Sequence, residues 1–488
     1  MNALTFAQKE NIGFQYVLDA LRPCSPYGQE RLRDLMPMGP KNREELLRQL
    51  GNIRRILAHE DCRKELQQLL RIFMGLKMVR PTAKKCLEAD LNEIELFEIK
   101  RFLLQSQEII SLYVKLQPVL GLEGIVMADT QAALDILDPE GNRVASFYLP
   151  DATSETLAAL RREKRELEAQ LAQHPDPELL TRRSHIAGLE EQEEQRIRVL
   201  LSQQLRPHVP AMLANMEAIA DLDLTAEKAR IAKKYGGTEP ELTETTLEMT
   251  DMVNPRIADL LQDRGGAFTP VSIALQPGAT VITGANMGGK SVALKTIALN
   301  ILLVHCGFFP FAREAKVPLF DGMHIISEDL ESIDRGLSSF GGEMVRFSHM
   351  VQQLQQGFHF VMLDEFARGT NPQEGAAIVQ AVTRYLNDCP VVAVLATHFD
   401  NVAPYARAHY QVAGLRDLDW DALGREIAAL GSETGAGRIA AYMNYGLYRV
   451  DARHACPRDA LNICRLLGMP EKILEDAEKT VSADAEIC

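Results

Sequence analysis

Paired cysteines are missing from this chain. Its 488 residues hold eight cysteines, scattered and without a CxxC pair. That spacing argues against a disulfide framework and for reduced thiols. His454, Cys456 and Cys464 lie near one another, but their spacing matches no common zinc pattern. Long apolar runs are missing too. The longest, 297–311, contains Asn300 and His305 and is too short to span a bilayer. The opening MNALTFAQKENIG has no charged-then-apolar signal layout, so a cytoplasmic protein without membrane contact is expected. Positive charge is in deficit: 53 Lys and Arg face 67 Asp and Glu, a formal net charge of −14. A protein that binds nucleic acid only by neutralising phosphates is usually basic, so any such contact needs a local patch. Tryptophan occurs once, as Trp420, and acquires no role from its surroundings. With 46% hydrophobic and 25% charged residues, what remains is ordinary globular material for two to four domains.

What is present is a phosphate-binding pattern. Gly284-Ala285-Asn286-Met287-Gly288-Gly289-Lys290-Ser291 fits G-x-x-x-x-G-K-[ST]. Residues 279–283 before it read as a buried strand. Residues 290–306 after it read as a helix, with Val292, Leu294, Ile297, Ala298 and Ile301 apolar and Gly307 as the stop. Glycines let backbone N–H groups approach phosphate, and a helix N-terminus favours an anion. Gly284, Asn286, Met287, Gly288, Gly289 and Val292 would frame a nucleoside triphosphate. Lys290 would reach its β- and γ-phosphates, and Ser291 would bind magnesium.

A second pattern supplies acids. Val361-Met362-Leu363-Asp364-Glu365 ends an apolar run with two carboxylates, a Walker B arrangement. Asp364 would hold Mg2+, directly or through water, and Glu365 would polarise the attacking water. His398 ends the next run, 391–396, at the ligand face of an open parallel sheet. It is read either as a contact to the γ-phosphate or attacking water, or as a polar strand terminus. Ser338 and Ser339 open a helix with Met344, Phe347, Val351 and Leu354 on its buried face; by themselves they read first as N-caps. Asn371 and Pro372 start a helix through Leu386.

Elsewhere the chain is helical to about residue 125, with Pro81 and Thr82 separating two helices. The basic stretch within 41–85 is either an anion-facing surface or a solvated helical face. Residues 135–144 look like a short hairpin around Pro-Glu-Gly-Asn. From Ser154, two charged helices broken at Pro175 and Pro177 suggest an antiparallel coiled-coil arm, or two helices packed separately. The return helix continues through Leu224, bent at Pro207 and Pro210. Residues 232–256 look like a linker, 413–440 like a variable loop region, and 457–485 like a helical tail split at Gly468-Met469-Pro470.

TGANMGGKS (283–291), GFFPFAREAKVPLFDG (307–322), LSSFGGEM (337–344), LDEFARGTNPQEG (363–375) and ATHF (396–399) together resemble the ATPase domain of the MutS family, within the wider ABC-type class. The resemblance is strong over 278–405 and loose before 240. It implies an α/β P-loop (ABC-type) ATPase domain preceded by an all-α lever domain with a short coiled-coil arm. The expected segments are 1–125 (helical lever), 126–206 (hairpin and arm, a reduced clamp), 207–240 (return helix and linker), 241–450 (ATPase) and 451–488 (C-terminal helical dimerisation segment). It implies ATP and Mg2+ as cofactors and a homodimer with composite sites. Ser338 and Ser339 would face the γ-phosphate bound by the partner, and Gly369-Thr370-Asn371 would cross the same interface. A mismatch reader, a connector and a nuclease-like domain are not expected. Two roles follow. One is a DNA-structure-binding clamp. The other, suggested by the acidic charge, is a remodeller of a protein client, since truncated MutS-like ATPases of this build resemble the reactivase of adenosylcobalamin-dependent lysine 5,6-aminomutase. Its partners would be the aminomutase and a second reactivase subunit. The charge tips the expectation toward the remodeller.

Overall fold

The computed structural model describes residues 4–144, 149, 151–284, 289–327, 339–399, 401–414, 444–451, 461, 464, 465 and 469–487. The first part of the chain is helical: α1 (Phe6–Ile12), α2 (Phe14–Ala20), α3 (Pro26–Arg33), α4 (Arg43–Ala58), α5 (Arg63–Gly75), α6 (Arg80–Glu88), α7 (Glu93–Leu120), α8 (Gln131–Leu137), α9 (Glu155–Gln173), α10 (Pro177–Leu205) and α11 (Val209–Tyr235). Two compact units share it. One holds residues 22–35 and 54–227; the other holds 1–21, 36–53 and 228–488. The units are therefore interleaved and not consecutive, unlike the segmentation expected at 125, 206 and 240.

The all-helical unit is built on α7 and α11. Phe73, Phe102, Leu103, Ile109, Leu205, Met212, Met216 and Ile219 are nearly or fully buried in one cluster. Tyr27 packs edge-on to Phe102, with ring centroids 6.1 Å apart, and donates its hydroxyl to Lys77 O at 2.9 Å. The buried Asp223 accepts from Ser25 Oγ (2.6 Å), Ser25 N (2.7 Å) and Cys24 N (3.0 Å), so the start of α3 is pinned to α11. Pro81 does not separate helices; it sits in the first turn of α6, where its missing N–H costs nothing.

The hairpin expected over 135–144 is absent. Residues 131–137 form α8, burying Ala133, Leu134 and Leu137, and the turn after it is tied by Asp138, which accepts from Arg143 N at 2.8 Å. Turn residues alone suggested strands; the helical spacing of the apolar positions before them decides the element. Asp138 also meets Lys100 Nζ at 3.1 Å, both side chains being buried.

Ser154 caps α9, accepting from Leu157 N, and Asp176 caps α10. The two helices run antiparallel, joined by Lys164–Glu190 (2.6 Å), Arg182–Glu163 (2.8 Å) and Arg183–Glu168 (2.9 Å). Arg161, almost fully buried, reaches Leu149 O, Asp151, Glu190 and Glu194 within 3.2 Å. Its planar fork satisfies several acceptors at once, which lysine could not do.

The other unit is α/β. Its elements are β1 (Glu241–Thr243), β2 (Leu247–Met252), α12 (Pro255–Asp263), β3 (Val271–Leu275), β4 (Gly278–Thr283), α13 (Gly289–His305), β5 (Glu314–Pro318), β6 (Gly322–Ile326), α14 (Ser339–Gln353), β7 (His359–Asp364), α15 (Pro372–Asn387), β8 (Val391–Ala396), β9 (Ala408–Gly414), β10 (Asn444–Val450) and α16 (Glu471–Ile487). Four strands pair in the order β1-β5-β2-β3 and six in the order β10-β9-β4-β8-β7-β6. In the larger sheet all pairs are parallel except β10 with β9. Strands β4, β7 and β8 are buried throughout, as expected of parallel strands covered on both faces.

The linker expected over 232–256 contains two strands instead. Gly236, Gly237 and Pro240 suggested a loop, but Leu247, Met249 and Met252 are buried against β3 and β5. The first helices belong to this unit: Gln8 Nε2 donates to Ile325 O (2.9 Å), Asn254 Nδ2 to Ile12 O (3.1 Å) and Met38 N to His305 O (2.7 Å). Most of the variable region expected at 413–440, with Trp420, lies outside the described residues. So does most of the tail before α16.

Candidate functional site

Three adjacent strands end at one edge of the larger sheet. In register, Ile282 of β4 and Asp364 of β7 both lie opposite Ala396 of β8. The C-terminal ends of parallel strands are the usual ligand face of an open α/β sheet.

Gly284 follows β4 with φ of 152°, and Gly289 opens α13. Both lie against Val412 of β9: a Cβ on Gly284 would sit 3.2 Å from Val412 Cβ, and one on Gly289 would sit 2.4 Å from Val412 Cγ1. Any side chain at 289 would collide, so glycine is required there for close approach. Ala285, Asn286, Met287 and Gly288 lie outside the described residues. Beneath the turn, Thr283 Oγ1 lies 2.8 Å from His409 Nε2, and His409 Nδ1 lies 3.0 Å from Asp451 O. The carbonyl requires Nδ1 to carry the hydrogen, so in the neutral ring Nε2 accepts from Thr283.

Lys290 is only 3% exposed and donates from Nζ to Gly284 O at 2.8 Å. Ser291 Oγ donates to Asp364 Oδ1 at 3.0 Å. Val292, in the first turn of α13, is half-buried. Burial raises the Asp364 carboxyl above its usual range; the Ser291 hydroxyl, Lys295 and Lys290 pull it down, and Glu365 pushes it up again. A hydroxyl and a carboxylate side by side are hard oxygen donors of the kind magnesium takes.

Glu365 leaves β7 with a left-handed φ of 53°, and Ala367 follows at 61°. Glu365 N donates to Ala396 O at 3.0 Å. Its carboxylate receives Arg368 NH1 on Oε2 at 2.8 Å, and Lys290 Nζ lies 4.0 Å from Oε1. Lys290, Ser291, Asp364 and Glu365, expected to cooperate, are thus within one small volume. His398 lies two residues beyond β8, half-buried, its ring 4.4 Å from that of Phe399.

Ser338 lies outside the described residues; Ser339 is the first residue of α14, its side chain outside them too. His454 and Cys456 are likewise outside, and among the described residues no three His, Cys, Asp or Glu gather as for a metal ion. Among them no helix is long and apolar enough to cross a membrane. Sequence reasoning assigned nothing to Arg368, Glu343 or His409. Arg368 lay inside a quoted motif, but nothing local showed that it would turn back on Glu365.

The sequence is similar to known proteins over part of its length. The model of MutS domain V matches residues 280–483. "Endonuclease MutS2" of Thermomicrobium roseum is 29% identical over 317 residues, covering 63% of this chain and 37% of that protein. The same-named protein of Halothermothrix orenii is 27% identical over 317 residues, covering 63% and 36%. That of Symbiobacterium thermophilum is 31% identical over 231 residues, covering 46% and 28%. The matches therefore span little more than a third of these relatives at most. Residues 280–483 thus match MutS domain V, and part of the chain is similar to part of these Endonuclease MutS2 proteins.

Proposed function

We propose that this chain binds and hydrolyses ATP with magnesium, as a dimer, and couples that cycle to binding of a DNA structure. The observation behind the nucleotide reading is the Ser291–Asp364 hydrogen bond at 3.0 Å, with Lys290 Nζ beside it. Ser291 and Asp364 would hold the magnesium ion, which supplies charge neutralisation to a bound triphosphate. Lys290, nearly fully buried, would exchange the Gly284 carbonyl for phosphate oxygens. Glu365 would orient and polarise the attacking water, with Arg368 fixing one of its carboxylate oxygens. His398 would lie near the γ-phosphate or that water. Ser338 and Ser339 would complete the partner's site across the dimer.

The DNA reading replaces the protein-client reading as the preferred one. The relatives carry the name Endonuclease MutS2, and none of those reported above points to an aminomutase or a second reactivase subunit. The net charge of −14 still requires a local contact surface. Arg54, Arg63, Lys64, Arg71 and Lys77 are exposed around α4 and α5, while Arg55 is half-buried and paired with Glu123. The test is anisotropy of labelled duplex and branched DNA with ATP over a salt series. Submicromolar, ATP-dependent binding near 0.15 M salt, falling steeply as salt rises, is expected. Reversing Arg54, Arg63, Lys64, Arg71 and Lys77 should abolish binding and leave basal ATPase intact. Negligible DNA binding, with ATPase stimulated by a protein client, would restore the remodeller.

A further inference from the structure

The candidate base Glu365 sits on a turn that is unfavourable by itself. Glu365 and Ala367 both have left-handed φ, at 53° and 61°, and neither is glycine. A residue with a Cβ adopts that region only when its surroundings hold it there. Helix α14 supplies the hold. Glu343 Oε2 accepts from Ala367 N at 3.0 Å, and Glu343 is only 8% exposed. One turn further along α14, Phe347 packs on Phe366 of the same turn, ring centroids 5.0 Å apart. Helix α15 also presses close: a Cβ on Gly375 would come within 2.9 Å of Ala367 O.

We infer that Glu343 is a positioning residue for ATP hydrolysis: its carboxylate holds the 365–367 turn left-handed and so aims Glu365 at the attacking water. The inference rests on the proposed role of Glu365. It adds that the helix opened by Ser339 sets the geometry of the base in its own subunit. Glu343 need not touch nucleotide or water. A buried carboxylate accepting a backbone amide is a strong bond and a poor candidate for replacement by water.

The rescue experiment follows from the backbone angle. Glycine accepts φ near 60° without a clamp. Glu343→Ala should lower kcat by about tenfold or more while the KM for ATP moves less than about threefold, since only the aim of the base is lost. Adding Ala367→Gly to Glu343→Ala should return kcat to within about threefold of the wild type, because glycine restores the turn without restoring the carboxylate. Glu343→Gln, which keeps an acceptor oxygen, should lose less than Glu343→Ala, and serves if the alanine variant does not fold. Glu365→Gln is measured beside them. Full turnover in Glu365→Gln overturns the assignment of the base and this inference with it. Slow turnover in Glu365→Gln with unchanged kcat in Glu343→Ala, or with no rescue by Ala367→Gly, overturns the inference alone.

Discussion

Ser291 Oγ donates to Asp364 Oδ1 across 3.0 Å, joining residues 73 positions apart in the chain. Asp364 is nevertheless a strained partner, because burial raises its carboxyl. A raised acid holds a proton in the folded state that the unfolded chain has already lost. Stability therefore falls as pH rises from the usual aspartate range through the raised value, because the ionised carboxylate is the form that burial disfavours. Asp364→Asn keeps an acceptor for Ser291 and removes that charge. It should raise the melting temperature of the nucleotide-free protein by about 2–4 °C for each kcal/mol relieved. Magnesium–ATP should raise the melting temperature of the wild type only. Equal ligand shifts in both proteins would refute Asp364 as a magnesium ligand.

Lys290 and Glu365 should fail differently. Lys290→Ala should weaken ATP binding by about tenfold or more, through loss of an ammonium on the phosphates. Glu365→Gln should bind ATP normally and hydrolyse it about 10²–10⁴ times more slowly, because only water activation is impaired. Equilibrium binding and single-turnover hydrolysis separate the two, and full turnover by Glu365→Gln would remove it as the base.

Trans completion can be read by mixing. A Lys290→Ala subunit paired with a Ser338→Ala/Ser339→Ala subunit retains one intact composite site. ATPase activity absent from each variant alone should reappear in the mixture. No recovery in verified heterodimers would place the serines outside the partner's site.

Lys100 and Asp138 form a buried pair in the helical unit. Burial pushes the Asp138 carboxyl up, but the Arg143 amide and the Lys100 ammonium outweigh it and hold it below the usual range. The stability this contributes is present above the ordinary aspartate pKa and is lost as pH falls through the lowered one. Lys100→Met removes the opposite charge and leaves Asp138 only backbone amide donors such as Arg143 N, and should cost about 3 kcal/mol in denaturant unfolding at neutral pH. A loss below about 1 kcal/mol would show that the backbone amides satisfy Asp138 without the ammonium.

The site was readable wherever its parts are close in sequence. Gly284, Lys290 and Ser291 announce themselves through spacing, and Asp364 and Glu365 through the apolar strand before them. Asn371 was placed correctly as a cap because it binds Gln373 N, two residues on. Glu343 and Ala367, 24 residues apart, and Thr283 and His409, 126 apart, meet only through the sheet and helix packing. No periodicity predicts those contacts. The hairpin over 135–144 and the linker over 232–256 share another cause. Glycine and proline marked real turns, but their neighbours were assigned by turn chemistry and not by the burial that Leu134, Leu137, Leu247 and Met249 achieve.

The crossings at 21/22, 35/36, 53/54 and 227/228 bear on how this molecule can be divided. A fragment beginning at 228 would leave behind Gln8, which caps the strand at Ile325, and Met38, which satisfies the buried His305. It would also lose Leu46, Leu50 and Ile53, all fully or nearly fully buried. No single cut in the chain separates the two units. One nick by a protease can therefore release neither unit whole, and a truncation meant to isolate one must also remove segments of the other.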